Sequence, residues 1–213
     1  MNVDIGQLVV VFLVLIFSLT VHESAHAWAA AWLGDPTAKR LGRITLNPAA
    51  HVDPIGTLVL PLVAFASGAP IIGWAKPVPV HRQNLKNQRR DFLYIAAAGP
   101  ASNIVLALIA AVALRVFPVS PISVAGWFEL PVWAVAATLF ELNLLLAVFN
   151  MVPIPPLDGS NVLAGVLPAN LSSTYDRIVR PWGFVILYAL LLTGGLGVII
   201  TPPYLFLSRL LTG

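Results

Sequence analysis

Residues 6–33 read GQLVVVFLVLIFSLTVHESAHAWAAAWL, an apolar run closed by Gly34-Asp35-Pro36. At about 1.5 Å per residue, a helix of this length crosses the roughly 30 Å hydrocarbon core of a bilayer. The Gly-Asp-Pro triplet stops it. In its second half lies Leu19-Thr20-Val21-His22-Glu23-Ser24-Ala25-His26-Ala27-Trp28, which carries H-E-x-x-H. Four residues apart on a helix, His22 and His26 share a face and reach one metal ion, leaving Glu23 beside the open coordination position. That is zinc hydrolase geometry: the metal brings the pKa of a bound water to about 7, and Glu23, the general base, takes its proton. With 4 His in 213 residues, chance would produce this motif about once in a thousand chains of this composition. Ionisable groups are also costly in an apolar segment and mark function there.

The rest of the composition fits a membrane setting. Hydrophobic residues make up 58% of the chain and charged residues 10%, against about 25% charged in a soluble domain; the mean hydropathy is +0.87. The whole of residues 1–213 is therefore expected to be one membrane-embedded domain, with no second, soluble one. The first run lacks the basic flank and small-residue cleavage site of a signal peptide and is expected to be retained. Cysteine is absent, so any metal must be held by His and carboxylate. The net charge is +3, but the basic residues cluster from Lys39 to Arg90. This points to loops beside anionic lipid and not to nucleic acid. By the positive-inside rule, the end of the first helix that leads into Lys39, Arg40 and Arg43 is cytoplasmic.

Further helices are expected over residues 92–117, 132–152 and 183–200. Residues 55–70 are apolar but short and broken by Gly56, Pro61, Gly68 and Pro70. Ile71 to His81 contains Pro77 and Pro79 and is expected to follow an extended path. A strand-like alternation occurs around Arg43-Ile44-Thr45-Leu46.

A catalytic zinc normally has three protein ligands. Asp158 follows a proline-broken helix end and precedes Gly159, which lets the backbone turn the carboxylate back into the bundle. It is equally suited to cap a helix over residues 159–167. If Asp158 ligates, an even number of crossings separates residue 33 from residue 152, so one of the three intervening apolar segments does not cross. Residues 55–70 are the one expected to be re-entrant. That arrangement also keeps the basic residues from Lys39 to Arg90 on one side.

At three places the chain resembles the site-2 protease family of intramembrane zinc metalloproteases. His22-Glu23-Ser24-Ala25-His26 matches its H-E-x-x-H, and Ala98-Gly99-Pro100-Ala101-Ser102-Asn103 its G-P-x-x-N. Asn150-Met151-Val152-Pro153-Ile154-Pro155-Pro156-Leu157-Asp158-Gly159 matches its N-x-x-P-x-P-x-x-D-G. The resemblance implies one Zn2+ per chain held by His22, His26 and Asp158, with Glu23 catalytic and Asn150 holding the oxyanion or the substrate. It also implies cleavage of transmembrane helices of other proteins near the cytoplasmic face. The chain is similar to the short prokaryotic branch, which lacks a PDZ domain, and this places it in a prokaryotic plasma membrane.

A helical substrate must become extended before attack, and an exposed strand edge would achieve this by β-addition. Residues 37–54 and 71–81 are expected to form such a sheet, a β-hairpin region between the first two core helices. His51 and Asp53 are expected to fix a loop or support the site from behind. Glu141, mid-helix, is expected to be protonated or paired with Asn143 or Asn103. The tryptophans suit the membrane interface, and Gly99 and Gly194 to Gly197 suit close helix packing.

The fold class expected is an all-α integral membrane bundle of about four crossings plus the re-entrant region. The function expected is a zinc endopeptidase acting on transmembrane protein substrates. Its rival is a membrane metal-binding scaffold or transporter, which would have no need of a base at Glu23; a zinc enzyme acting on a small lipid-soluble substrate is a third option.

Overall fold

The computed structural model describes residues 5–59, 63, 74–116 and 132–213. Among the described residues, four helices are long and apolar enough to cross a membrane: Gly6–Trp32, Gln88–Val116, Trp133–Asn150 and Gly195–Thr212. They lie within α1 (Ile5–Trp32), α3 (Gln88–Val116), α4 (Val132–Asn150) and α8 (Gly195–Thr212). Shorter helices among the described residues are α2 (Thr37–Arg40), α5 (Asp158–Val166), α6 (Ala169–Ile178) and α7 (Gly183–Leu192). The chain is thus an α-helical membrane bundle.

Helix α3 is the hub and packs against α1, α4 and α5. Alanines make this possible: Ala27 and Ala30 on α1 and Ala107, Ala110 and Ala111 on α3 are buried, and small side chains let helix backbones approach where lipid supplies no hydrophobic drive. Toward the far end, Ala107, Ala110, Phe140 and Leu144 form a core joined by Tyr204, Leu207 and Leu211 of α8. At the other end, Val152, Leu157, Leu187 and Leu196 pack the α4 terminus against α7 and the start of α8.

The end of α1 is locked to the start of α3. The fully buried Asp35 carboxylate accepts from Thr37 N at 3.1 Å, Thr37 Oγ1 at 2.6 Å, His81 N at 2.6 Å and Asn84 Nδ2 at 2.8 Å. Burial would push its pKa up, but these donors hold it below the ordinary carboxylate value. The chain therefore returns at residue 81 to the end at which α1 left off. This agrees with the parity expected from Asp158. The proposed re-entrant stretch itself, residues 55–70, lies mostly outside the described residues; its beginning, Pro54–Val59, is a wide helical turn whose Ile55 and Gly56 amides donate to Asp53 Oδ1.

Two expectations need correction. No strand forms among the described residues. Thr37–Arg40 is a helical turn and Arg43 to Leu46 bends, because Arg43 turns inward, buried, and donates to the carbonyls of Lys76 and Pro77. The segment Trp74 to His81 is extended but is pinned by single bonds, Trp74 N to Gly56 O at 3.1 Å and Lys76 N to His51 O at 2.8 Å, and not by a ladder. Nor is the last crossing residues 183–200. Gly194 takes a left-handed conformation, φ +74°, which ends α7 and starts α8; the candidate span is shifted to Gly195–Thr212 and includes Arg209. A Cβ at Gly194 or at Gly197 would meet nothing within 4 Å, so these two glycines do not serve close packing.

Candidate metal centre

His22 and His26 project from the inner face of α1 and are buried. Asp158 opens α5, and its carboxylate is turned to the imidazoles; Leu157 occupies the cap position and no side chain caps the helix. Capping, the alternative for Asp158, is therefore not its role. Gly159 is required behind it, because a Cβ there would collide with the carbonyls of Met151 and Val152.

The three side chains converge. His22 Nε2 lies 3.0 Å from His26 Nε2 and 3.1 Å from Asp158 Oδ2, and His26 Nε2 lies 3.3 Å from the same oxygen. Ligand bonds of 2.0–2.2 Å in tetrahedral array place ligand atoms about 3.3 Å apart. The other ring nitrogens are already engaged: His26 Nδ1 donates to Ile95 O at 2.7 Å and His22 Nδ1 to Asn103 Oδ1 at 2.6 Å. A carbonyl oxygen can only accept, so each Nδ1 bears the proton and each Nε2 presents a bare lone pair. Asp158 adds an anion. Three such groups converging on one point could hold a cation between them, and hydrogen-bond acceptors on both Nδ1 atoms are characteristic of metal-binding histidines. Among the described residues this is the one cluster of His and carboxylate groups that could hold a metal.

Helix α3 serves the site with its backbone. A Cβ at Gly99 would strike Nε2 of both His26 and His22; the glycine expected to ease helix packing leaves room for the imidazoles instead. Pro100, next along, lacks an N–H and cannot bond the Ala96 carbonyl.

Glu23 is half-buried beside the ligands, close enough for its charge to act on His26. Asn150 ends α4, its Nδ2 donating to Leu146 O at 3.0 Å; an amide nitrogen has a second hydrogen to give. His51 is buried against the motif helix, with Nε2 3.0 Å from Thr45 O and 3.3 Å from Ser24 Oγ, while Ser24 Oγ donates to the same carbonyl at 2.5 Å. His51 and Asp53 thus fix the loop, as expected. Glu141 does not pair with Asn103 or Asn143: it is exposed, and those two amides bond each other, Nδ2 to Oδ1 at 2.8 Å. Asn103 as the partner of His22 was not foreseen, although its place in G-P-x-x-N marked it.

The chain is similar to known metalloproteases. The family model described as peptidase family M50 matches residues 10–125 and 118–193. The chain is 35% identical over 179 residues to "Putative zinc metalloprotease YwhC" of Bacillus subtilis, covering 84% of this chain and 78% of that one. It is 32% identical over 197 residues to "Putative zinc metalloprotease Rip2" of Mycolicibacterium smegmatis, covering 90% and 70% respectively. Over a shorter stretch of 69 residues, 32% of this chain and 31% of the relative, it is 41% identical to "Putative zinc metalloprotease MJ0611" of Methanocaldococcus jannaschii. No solved structure matches. With four apolar helices and a donor set suited to Zn2+, the chain belongs to peptidase family M50, the site-2 protease family, and is a membrane zinc metalloprotease.

Proposed function

We propose that the protein is an intramembrane endopeptidase that hydrolyses peptide bonds within or next to the transmembrane helices of other membrane proteins, in regulated intramembrane proteolysis. The observation that carries this is the position of the donor set: His22 and His26 sit inside a helix long enough to cross the bilayer, about two turns from its end. A bond cleaved there lies below the lipid surface.

His22, His26 and Asp158 would hold the zinc ion. When bound, zinc supplies a water acidic enough to react at neutral pH and a Lewis acid for the scissile carbonyl. Glu23 accepts the proton of the attacking water and returns it to the departing amine. Asn150 offers its free amide hydrogen to the developing oxyanion or to the substrate backbone. The loop from Thr45 to the buried His51 lies against Ser24 and keeps that side of the motif helix rigid.

The site faces the cytoplasm in this proposal, in a prokaryotic plasma membrane. Supporting this, the basic residues from Lys39 to Arg90 belong to the end of the bundle nearer the site, joined there by Arg180, which donates to Asn161 of α5. Arg115 and Arg209 lie at the other end, where α3 and α8 finish, and positive charge favours the cytoplasmic side.

The test is zinc content of the detergent-purified protein, with cleavage of a single-helix membrane substrate, for the native chain and for Glu23→Gln. The expected outcome is about one zinc per chain in both and cleavage by the native chain alone, with a loss of at least about 100-fold in the variant. Cleavage by Glu23→Gln at the native rate would remove Glu23 from the chemistry. Absence of zinc from the native chain would remove the mechanism altogether.

A further inference from the structure

Behind the metal centre, a chain of side-chain hydrogen bonds crosses three spanning helices and ends on His22. Ser18 of α1, Asn103 of α3 and Asn143 of α4 each have no exposed surface. Asn143 Nδ2 donates to Leu139 O at 2.8 Å and to Ser18 Oγ at 2.8 Å. Asn103 Nδ2 donates to Asn143 Oδ1 at 2.8 Å, and Asn103 Oδ1 accepts from His22 Nδ1 at 2.6 Å.

The sense of this chain is set at its far end. The Leu139 carbonyl can only accept. Reversing the Asn143 amide would bring oxygen against oxygen at hydrogen-bond distance, at a cost comparable to an unsatisfied buried group. Asn143 therefore shows its oxygen to Asn103. That oxygen demands a donor, so Asn103 turns its NH2 toward it and its own oxygen toward His22. An oxygen there demands the proton on Nδ1, which leaves Nε2 bare. His26 needs no such chain, because a backbone carbonyl, Ile95 O, already fixes it.

We propose that Asn143 is a positioning residue for the metal centre: it locks the orientation of the Asn103 amide and thereby selects the His22 tautomer that can bind metal. The proposal rests on the reading of His22 as a zinc ligand. Without Asn143, the Asn103 amide is free to turn its NH2 toward Nδ1. His22 then carries its proton on Nε2, where it blocks ligation.

Zinc affinity of the purified full chain, measured by competition with a chromophoric chelator in detergent, tests this without substrate. Asn143→Leu is expected to bind zinc about 10–100-fold more weakly, the usual cost of losing an outer-shell partner. The deciding comparison is made in an Asn103→Asp background, where a carboxylate accepts from His22 whichever way it is turned. There Asn143→Leu is expected to change zinc affinity little, giving a large coupling between positions 103 and 143. If Asn143→Leu weakens zinc equally in both backgrounds, Asn143 only packs and the proposal is overturned. Native affinity in Asn143→Leu also overturns it. Should Asn143→Leu fail to fold, Asn143→Ala makes the same two comparisons. If the native chain binds no zinc, the ligand reading falls and the proposal with it, whereas zinc bound by the native chain with no coupling between 103 and 143 sinks the proposal alone.

Discussion

Gly99 shows how much one hydrogen atom in place of a methyl group decides. The two imidazoles press on the α3 backbone at this position, and helix geometry fixes where a Cβ would stand, so neither partner can give way without moving a ligand. Gly99→Ala is expected to retain the helical bundle in detergent and to lose zinc affinity by at least about 10-fold, the scale of a displaced supporting contact; zinc content after dialysis checks it. Substituting Gly197, which has open space around it, is the matched comparison and should leave zinc content unchanged. At this scale the sequence was most readable. His22, Glu23 and His26 declare themselves through spacing on one helix, whereas Asp158 needed parity and resemblance, because 136 residues separate it from His22. Asn103 was harder still. A polar residue in an apolar helix announces that it has a partner, but the partner's identity depends on the rotation of α3 against α1, which no local pattern carries.

Among the elements, the junctions hold most of the specific chemistry. Asp35 joins α1 to α3 with four accepted bonds, and its depressed pKa gives that junction a pH dependence. A carboxyl whose folded pKa lies below its unfolded value stabilises above the unfolded value, here 3.8, and the contribution is lost as pH falls through the folded one. Asp35→Asn should therefore cost about 2 kcal/mol at pH 7, and the gap to the native chain should close below about pH 4; thermal unfolding in detergent across pH measures it. The α7–α8 junction gives a second test. Gly194→Ala forces a side chain into the left-handed region, at about 1–2 kcal/mol, while Gly197→Ala, within a helix, is expected to be neutral or slightly stabilising; melting of the two variants compares them. This junction also marks where hydropathy alone misled. An unbroken apolar pattern from 183 to 200 carries no sign of a turn except glycine, and glycine in a membrane helix has two uses, approach and reversal. The strand-like alternation at Arg43 to Leu46 failed for another reason: its charged member turned inward to serve two carbonyls of a neighbouring segment.

The molecule as a whole is a bundle with distinct ends. The Asp35 junction, the basic loops and α6 mark the end nearer the site, while α3 and α8 finish together at the other, where Gly213 adjoins the Arg115 side chain. Because the chain contains no cysteine, single cysteines can be introduced without removing any. A cysteine at Lys86 should react with a membrane-impermeant thiol reagent from the cytoplasmic side only, and one at Thr212 from the opposite side only. Labelling of both from one side would refute the four-crossing arrangement. The first three crossings were legible from hydropathy because a bilayer demands about twenty apolar residues of each, and that demand is written in composition; the last was displaced by the turn at Gly194. Which helix touches which was not, since alanine-lined faces look alike in sequence.

The metal-binding atoms come from α1 and from the start of α5, elements that do not follow one another and that meet across the backbone of α3. An ion shared by His22, His26 and Asp158 would act as a cross-link, closing a loop of 136 residues in a chain that cannot form a disulfide. A closure of that length confines the unfolded chain by about 5 kcal/mol on the scale used for disulfides. The same ion that makes the site reactive would then be a fastening of the fold, and a chain deprived of it would be loosened as well as silenced.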